Sequence, residues 1–181
     1  MADSNEGRVE GLYINPAQSK TIARESVNVA WGGFEGDKHF GDTMPRGSGQ
    51  KFYPKGSEIR NTRQISIVAS EELAQIAHGL QVPAIDGAWL NANILVSGIA
   101  DFTQLSPGTR IIFKNGVGLV VEGSNPPCTT AGGQIQENYP EKQNLAQEFV
   151  KHAVGRRGVV AWVERPGKLA PGERFQIHRP K

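Results

Sequence analysis

The sequence predicts a mainly β domain of the α+β kind, a closed β-barrel with peripheral helices. Three observations carry that expectation. Alternating apolar and polar segments recur along the chain, only two segments have helical periodicity, and one Pro-Gly strand motif occurs twice. The 181 residues suit a single domain, 1–181, because a domain commonly holds about 100–200.

Residues 8–14 are short and β-rich, and Val27, Val29 and Trp31 alternate with small or polar neighbours, as a half-buried strand requires. Residues 64–68 alternate in the same way. Asn115-Gly116 stands between the apolar runs 109–114 and 117–122, so a hairpin with a type I′ turn is expected there. Ser70 is the expected N-cap of a helix over 71–80, with Leu73, Ile76, Ala77 and Leu80 on one face and Glu71 and Glu72 at its positive start. A second helix is expected to begin near Pro140, to carry Ala146, Phe149, Val150 and Ala153 as its stripe, and to stop at Gly155. Leu105-Ser-Pro-Gly-Thr-Arg-Ile-Ile-Phe113 is echoed by Leu169-Ala-Pro-Gly-Glu-Arg-Phe-Gln-Ile177. In each, Pro-Gly makes a turn that launches a strand, which predicts two equivalent corners of a twisted barrel. Residues 42–62 are rich in Gly and in basic side chains (Arg46, Lys51, Lys55, Arg60) and lack periodicity, which reads as a lid or a disordered loop.

Composition excludes several classes. Hydrophobic residues make up 38% and charged residues 21%, values of a folded domain rather than a disordered chain. No run approaches the ~20 apolar residues of a membrane span, so no membrane partner is expected. The polar, acidic residues 1–6 do not resemble a signal peptide, and a single cysteine makes no internal disulfide, so the expected location is cytoplasmic. Net charge is +2, but residues 151–181 hold eight Lys or Arg against two acids. That tail is either a solvated surface or a place to meet an anion. No basic-aromatic pattern of a nucleic-acid module is present, and no nucleic acid partner is expected.

Cys128 lies in Gly123-Ser-Asn-Pro-Pro-Cys-Thr-Thr-Ala-Gly-Gly133, where no apolar periodicity assigns the thiol to a core. A cysteine on a rigid turn after a strand is placed as a reactive or metal-binding thiolate would be. A second cluster, Gly36-Asp-Lys-His-Phe-Gly41, offers Asp37 and His39 two residues apart and so on one side of an extended backbone. His39 could ligate a metal, donate a proton or partner the thiol, and Lys38 could meet an anion. One cysteine and scattered histidines do not make a structural zinc pattern.

The order of these pieces resembles the MOSC family, named after the C-terminal part of molybdenum-cofactor sulfurases. The resemblance runs through Val9-Glu-Gly-Leu-Tyr-Ile-Asn-Pro16, Gly36-Asp-Lys-His-Phe-Gly41, Arg63-Gln-Ile-Ser-Ile67 and Asn93-Ile-Leu-Val-Ser-Gly98. It continues through the first Leu-x-Pro-Gly strand and Pro127-Cys128 to Arg157-Gly-Val-Val-Ala-Trp-Val163 and Leu169-Ala-Pro-Gly172. It implies a closed barrel of the MOSC type that binds a molybdenum cofactor (molybdopterin with molybdenum). Cys128 would be the metal ligand or a persulfide sulfur carrier, and Lys38, His39, Arg63 and Asn93 would be cofactor contacts. A soft thiolate suits either task.

Asn91-Ala92 and Thr129-Thr130-Ala131 depart from the family pattern, which often has a charged residue at the first place and sometimes a second cysteine at the second. Neither the desulfurase nor the iron–sulfur module that some members carry is expected. The resemblance then implies a separate electron-donor reductase or a sulfur donor (a cysteine desulfurase), and a small-molecule substrate such as an N-hydroxylated compound. A non-enzymatic carrier of cofactor or sulfur is open beside the molybdenum oxidoreductase. So is a Cys–His hydrolase using Cys128 and His39, which needs a third group to orient the histidine.

Overall fold

Alternation of buried and exposed side chains organises the chain into strands in the computed structural model, which describes residues 5–47 and 49–181. The expected absence of a leader therefore falls partly on residues 1–4, outside the described residues, as does Ser48 in the 42–62 stretch. In chain order the first strands are β1 (Glu6–Ile14), β2 (Ile22–Ala23), β3 (Val27–Ala30), β4 (Gly33–Phe34), β5 (Thr43–Pro45), β6 (Glu58–Arg60) and β7 (Ile65–Ala69). After helix α1 (Ser70–Leu80) come β8 (Ile94–Ser97), β9 (Arg110–Phe113) and β10 (Gly118–Ser124). Helices α2 (Thr129–Asn138) and α3 (Leu145–His152) precede β11 (Val159–Arg165), β12 (Gly167–Leu169) and β13 (Arg174–His178).

Seven strands, in the order β13-β9-β10-β11-β7-β8-β1, close into a barrel because β1 also pairs with β13. The β7–β8 pair is parallel, and its neighbours around the ring are antiparallel. A parallel pair needs a crossover, which here is α1 followed by a 3₁₀ turn over Gly87–Leu90. In β1 the register shifts between Val9 and Gly11, a bulge that keeps Val9, Leu12 and Ile14 on the inner face although their spacing is uneven. Closure leaves no edge in the ring, which removes the template for edge-to-edge aggregation.

Two apolar clusters follow from this. Ile65 and Ile67 of β7 join Ile94, Ile111, Phe113 and Phe175 inside the barrel. Val68, pointing the other way, packs under Leu73 and Ile76 of α1, Ile135 of α2 and Phe149 of α3. The helices therefore cover one side of the barrel wall. Among the described residues, no helix is long and apolar enough to cross a membrane.

The closed barrel with peripheral helices is as expected, and several local readings are corrected. The β9–β10 hairpin forms, but its turn is not type I′. Gly116 N–H bonds Phe113 O at 2.8 Å, Gly116 alone has φ at +93°, and Asn115 is not left-handed. This is a three-residue loop with a glycine bulge. Asn115 instead uses its side chain, donating to Lys168 O at 2.6 Å and accepting from Val117 N–H at 3.1 Å. Ser70 is the first helical residue of α1 rather than its cap: Ala69 holds that place, with no side-chain bond. The helix expected from Pro140 begins at Leu145, because Gln136 accepts the Leu145 N–H at 2.9 Å and captures the loop before it. Its buried contacts are Leu145, Phe149 and Ala153, with Ala146 and Val150 half-buried. Trp31 lies past the end of β3 and is 58% exposed. The 42–62 stretch contains an antiparallel ribbon, β5 against β6. The two Pro-Gly motifs launch β9 and β13, which pair directly, Phe113 opposite Phe175 and Ile111 opposite Ile177.

The tightest backbone approach is at Gly158, whose φ is +84° and where an added Cβ would lie 2.0 Å from Ile67 O. Gly158→Ala therefore combines left-handed strain with a collision against barrel backbone. A destabilisation of at least about 2–3 kcal/mol is expected in urea unfolding. An unfolding midpoint equal to wild type would contradict this account of the β7–β11 contact.

Candidate functional site

A cleft of about 510 Å³ lies on the outer face of the barrel wall. Its floor is Ser66 of β7 and Val160 of β11, partners in register, whose neighbours Ile65, Ile67 and Ala161 face the interior. On one side stand the 38–40 segment and Thr43, Met44 and Pro45 of β5. On the other stand Leu90 and the start of α2. Cys128, Lys38, His39, Arg63 and Asn93, drawn from four separate segments, all line it.

Cys128 is exposed and is not on a bare turn. It is the N-cap residue of α2, in an extended conformation (φ −141°, ψ 159°) and with no side-chain capping bond. The thiol sits beside the uncapped first turn of a helix, where the macrodipole favours negative charge. The same cleft is lined by an arginine from the basic C-terminal stretch of the sequence. Arg157 is 7% exposed, and its Nη2 donates to Leu90 O at 2.7 Å. Its Nε and Nη1 are buried without a hydrogen-bond partner. Burial pulls the Arg157 pKa down to about 10, while negative charge on Cys128 acts in the opposite direction. Two idle donors on a buried guanidinium that lines a cleft are costly unless a ligand acceptor meets them.

A buried relay fixes the turn that carries Arg157. Gly158 N–H donates to Thr103 Oγ1 at 2.7 Å, and that hydroxyl donates to Glu72 Oε2 at 2.7 Å. Glu72 Oε1 also accepts Thr103 N–H at 2.8 Å.

Asp37 organises the opposite wall. Its Oδ2 accepts Asn15 N–H at 2.8 Å and Asn93 Nδ2 at 2.7 Å, and its Oδ1 accepts His39 N–H at 2.9 Å. His39 Nδ1 is also 2.9 Å from Oδ1. The carboxylate only accepts, so this bond puts the ring proton on Nδ1 and leaves Nε2 as the free ring nitrogen. Asn93 is 1% exposed, and its amide donates to Asp37 and to Tyr13 O while accepting Ser66 N–H. Both of its hydrogens are spent inside the protein, so it braces the floor. Lys38 is exposed at the rim and is in no ion pair among the described residues. Arg63 is half-buried and reaches Asn125 Oδ1 at 3.4 Å; burial lowers its pKa and the charge of Glu122 opposes that. Among the described residues, no group of three His, Cys, Asp or Glu could hold a metal through protein side chains alone. Asp37, Asn15, Asn125 and Arg157 were not singled out as a set, because their convergence needs contacts up to 76 residues apart.

Comparison with known proteins follows the same outline. The MOSC domain profile matches residues 35–176. This chain belongs to the MOSC family. A relative in Bacillus subtilis (strain 168), named as a candidate metal-sulfur cluster biosynthesis protein YuaD, is 45% identical over 172 residues, covering 94% of this chain and 90% of its own length. The crystal structure of B. subtilis YuaD superposes with a TM-score of 0.92 at 44% identity, covering 97% of each chain. YiiM from Escherichia coli shares the fold at 14% identity, with a TM-score of 0.60 over 96% of this chain and 71% of that one.

Burial alone would raise the Asp37 carboxyl, but the bonds from His39, Asn15 and Asn93 outweigh it and hold its pKa at about 2, below the ordinary 3.8. A depressed folded-state value stabilises the fold above the unfolded value and loses that contribution as pH falls through the folded one. Urea unfolding should show a loss of about 2 kcal/mol between about pH 4 and pH 2 that Asp37→Asn lacks. Parallel pH profiles for the two proteins would contradict the assignment.

Proposed function

We propose that the cleft holds a molybdenum–pterin cofactor and that Cys128 is the soft sulfur offered to its metal, charged as a persulfide. The observation that carries this reading is a pair in one cleft: an exposed thiol on the uncapped start of α2 and a buried guanidinium with two idle donors. The cleft fits such a group in three respects. Its volume of about 510 Å³ is that of a cofactor pocket. Arg157, Arg63 and Lys38 supply cations for a phosphate and for metal-bound oxygens. Cys128 supplies the one thiol in the sequence, so the other sulfur ligands of the metal would come from the pterin dithiolene. When bound, the cofactor supplies a redox-active, thiophilic metal.

Each side chain then has a task. Arg157 holds anionic oxygen in a dry setting where its charge is little screened. Lys38 and Arg63 bind at the rim, Asn93 keeps the floor rigid, and His39, oriented by Asp37, can hold or pass a proton at Nε2. The exposure of Cys128 favours sulfur handling over a wholly enclosed metal ligand, and the name of the B. subtilis relative agrees. Reduction of an N-hydroxylated small molecule would use the same cleft with a separate electron donor.

A Cys–His hydrolase gains one point: Asp37 provides the orienting third group. Its central contact is missing, since Cys128 and His39 are not hydrogen-bonded in this structure.

Protein made in a host with intact cofactor synthesis should carry molybdenum and pterin by elemental and fluorescence analysis. Cys128→Ser, which replaces a soft donor with a hydroxyl, should lose most of the metal and all persulfide formation with polysulfide. His39→Ala should weaken retention by about ten- to a hundredfold, the value of one such hydrogen bond. Wild-type metal content in Cys128→Ser would overturn the ligand role. Ester hydrolysis lost equally in both variants, with no metal bound, would establish the hydrolase instead.

A further inference from the structure

The β5–β6 ribbon forms a wall of the cleft through Thr43, Met44 and Pro45, and then continues beyond it. At its tip Lys51, Phe52, Tyr53, Pro54 and Lys55 are exposed in succession, with Phe52 at 89% and Tyr53 at 52%. Phe40, at the cleft rim, is 46% exposed. Half of the exposed large apolar side chains among the described residues thus belong to this one segment. Charge is concentrated there too. Residues 38–63 hold six Lys or Arg against two acids, while the rest of the chain holds fourteen against sixteen. Exposed aromatic residues ringed by cations, beside the opening to a reactive thiol, have the composition of a protein-docking hot spot with electrostatic steering. A nucleic-acid strand would need a longer basic track than one hairpin on a barrel that is otherwise net negative.

We propose that this hairpin docks a sulfur-donor protein whose contact surface is acidic around an apolar centre, and orients that protein's cysteine persulfide toward Cys128. The proposal rests on the reading of Cys128 as a sulfur carrier. In the step it serves, the Cys128 thiolate attacks the terminal sulfur of the donor persulfide. The donor's S–S bond breaks, a new S–S bond forms on Cys128, and the donor cysteine leaves as thiolate with the electron pair. No net oxidant is required.

The probe is a purified cysteine desulfurase charged with L-cysteine, set against inorganic polysulfide as a small donor that needs no docking. Persulfide on Cys128 is followed by mass spectrometry in wild type, in Lys51→Glu/Lys55→Glu and in Phe52→Ala/Tyr53→Ala. These exposed substitutions leave the cleft residues in place. Transfer from the desulfurase is expected to slow by roughly tenfold or more in both variants, and the wild-type rate should fall with added salt. Charging by polysulfide should be unchanged. Variants that accept sulfur from the desulfurase at the wild-type rate would overturn the docking role. So would a wild type that polysulfide charges but the desulfurase does not. Failure of polysulfide itself to charge wild-type Cys128 would remove the carrier reading, and the docking proposal with it. Loss of binding to a single-stranded oligonucleotide in the variants, with sulfur transfer intact, would assign the hairpin to nucleic acid.

Discussion

A carboxylate taken out of water costs several kcal/mol unless its oxygens are met, and Asp37, 6% exposed, is such a group. Its oxygens are met by Asn15 from the end of β1, by Asn93 at the entry to β8 and by the main chain and ring of His39. One buried charge thereby ties the segment after β4 to two barrel strands. Asn15 passes the constraint on, because its Nδ2 donates to Asn91 O at 3.0 Å and its Oδ1 accepts the Thr21 hydroxyl. The wall of the cleft is held by a polar network, whereas the barrel below it is held by apolar packing. A polar network specifies one arrangement more sharply than packing does, provided every member is satisfied.

The opposite wall has the reverse character. Arg157 is as buried as Asp37 but is left with two donors unmet, and the helix start beside it has no cap. Buried cationic donors left without a partner beside a cleft are a polar deficit that an anionic acceptor would relieve. The Glu72–Thr103–Gly158 relay explains how the arrangement persists without that anion. It holds the backbone at Gly158, directly after Arg157, where glycine tolerates the approach to Ile67.

The barrel was legible because strands such as β1, β3, β9 and β13 carry their own alternation, and because the Pro-Gly echo marks two strands that turn out to be neighbours. Helix α2 was not legible. Thr129, Thr130, Gly132 and Gly133 are poor helix formers, and only Ala131 and Ile135 supply an apolar stripe. Gly132 is there for α3, since a Cβ at that position would sit 2.6 Å from Ala146 O. Missing α2 hid the capping position of Cys128, although the residue itself stood out by its setting. Arg157 was missed for a different reason: one arginine in a basic tail looks solvated, and only the Leu90 carbonyl, 67 residues earlier, reveals that it is not. Asn93, named through the family resemblance as a cofactor contact, lines the cleft, but the sequence could not show that its amide was already engaged.

Pairing of β1 with β13 also constrains the order of events during synthesis. On the β13 side, Glu6, Gly7 and Arg8 pair with Gln176, Phe175 and Arg174, which come far later in the chain. Until those residues leave the ribosome, β1 and β9 each expose an edge that only β13 can cover. Closure therefore waits for β13, and until then the nascent chain passes through a stage with open strand edges. At that stage contacts distant in sequence are still unformed and the chain is most exposed to aggregation or to chaperone capture.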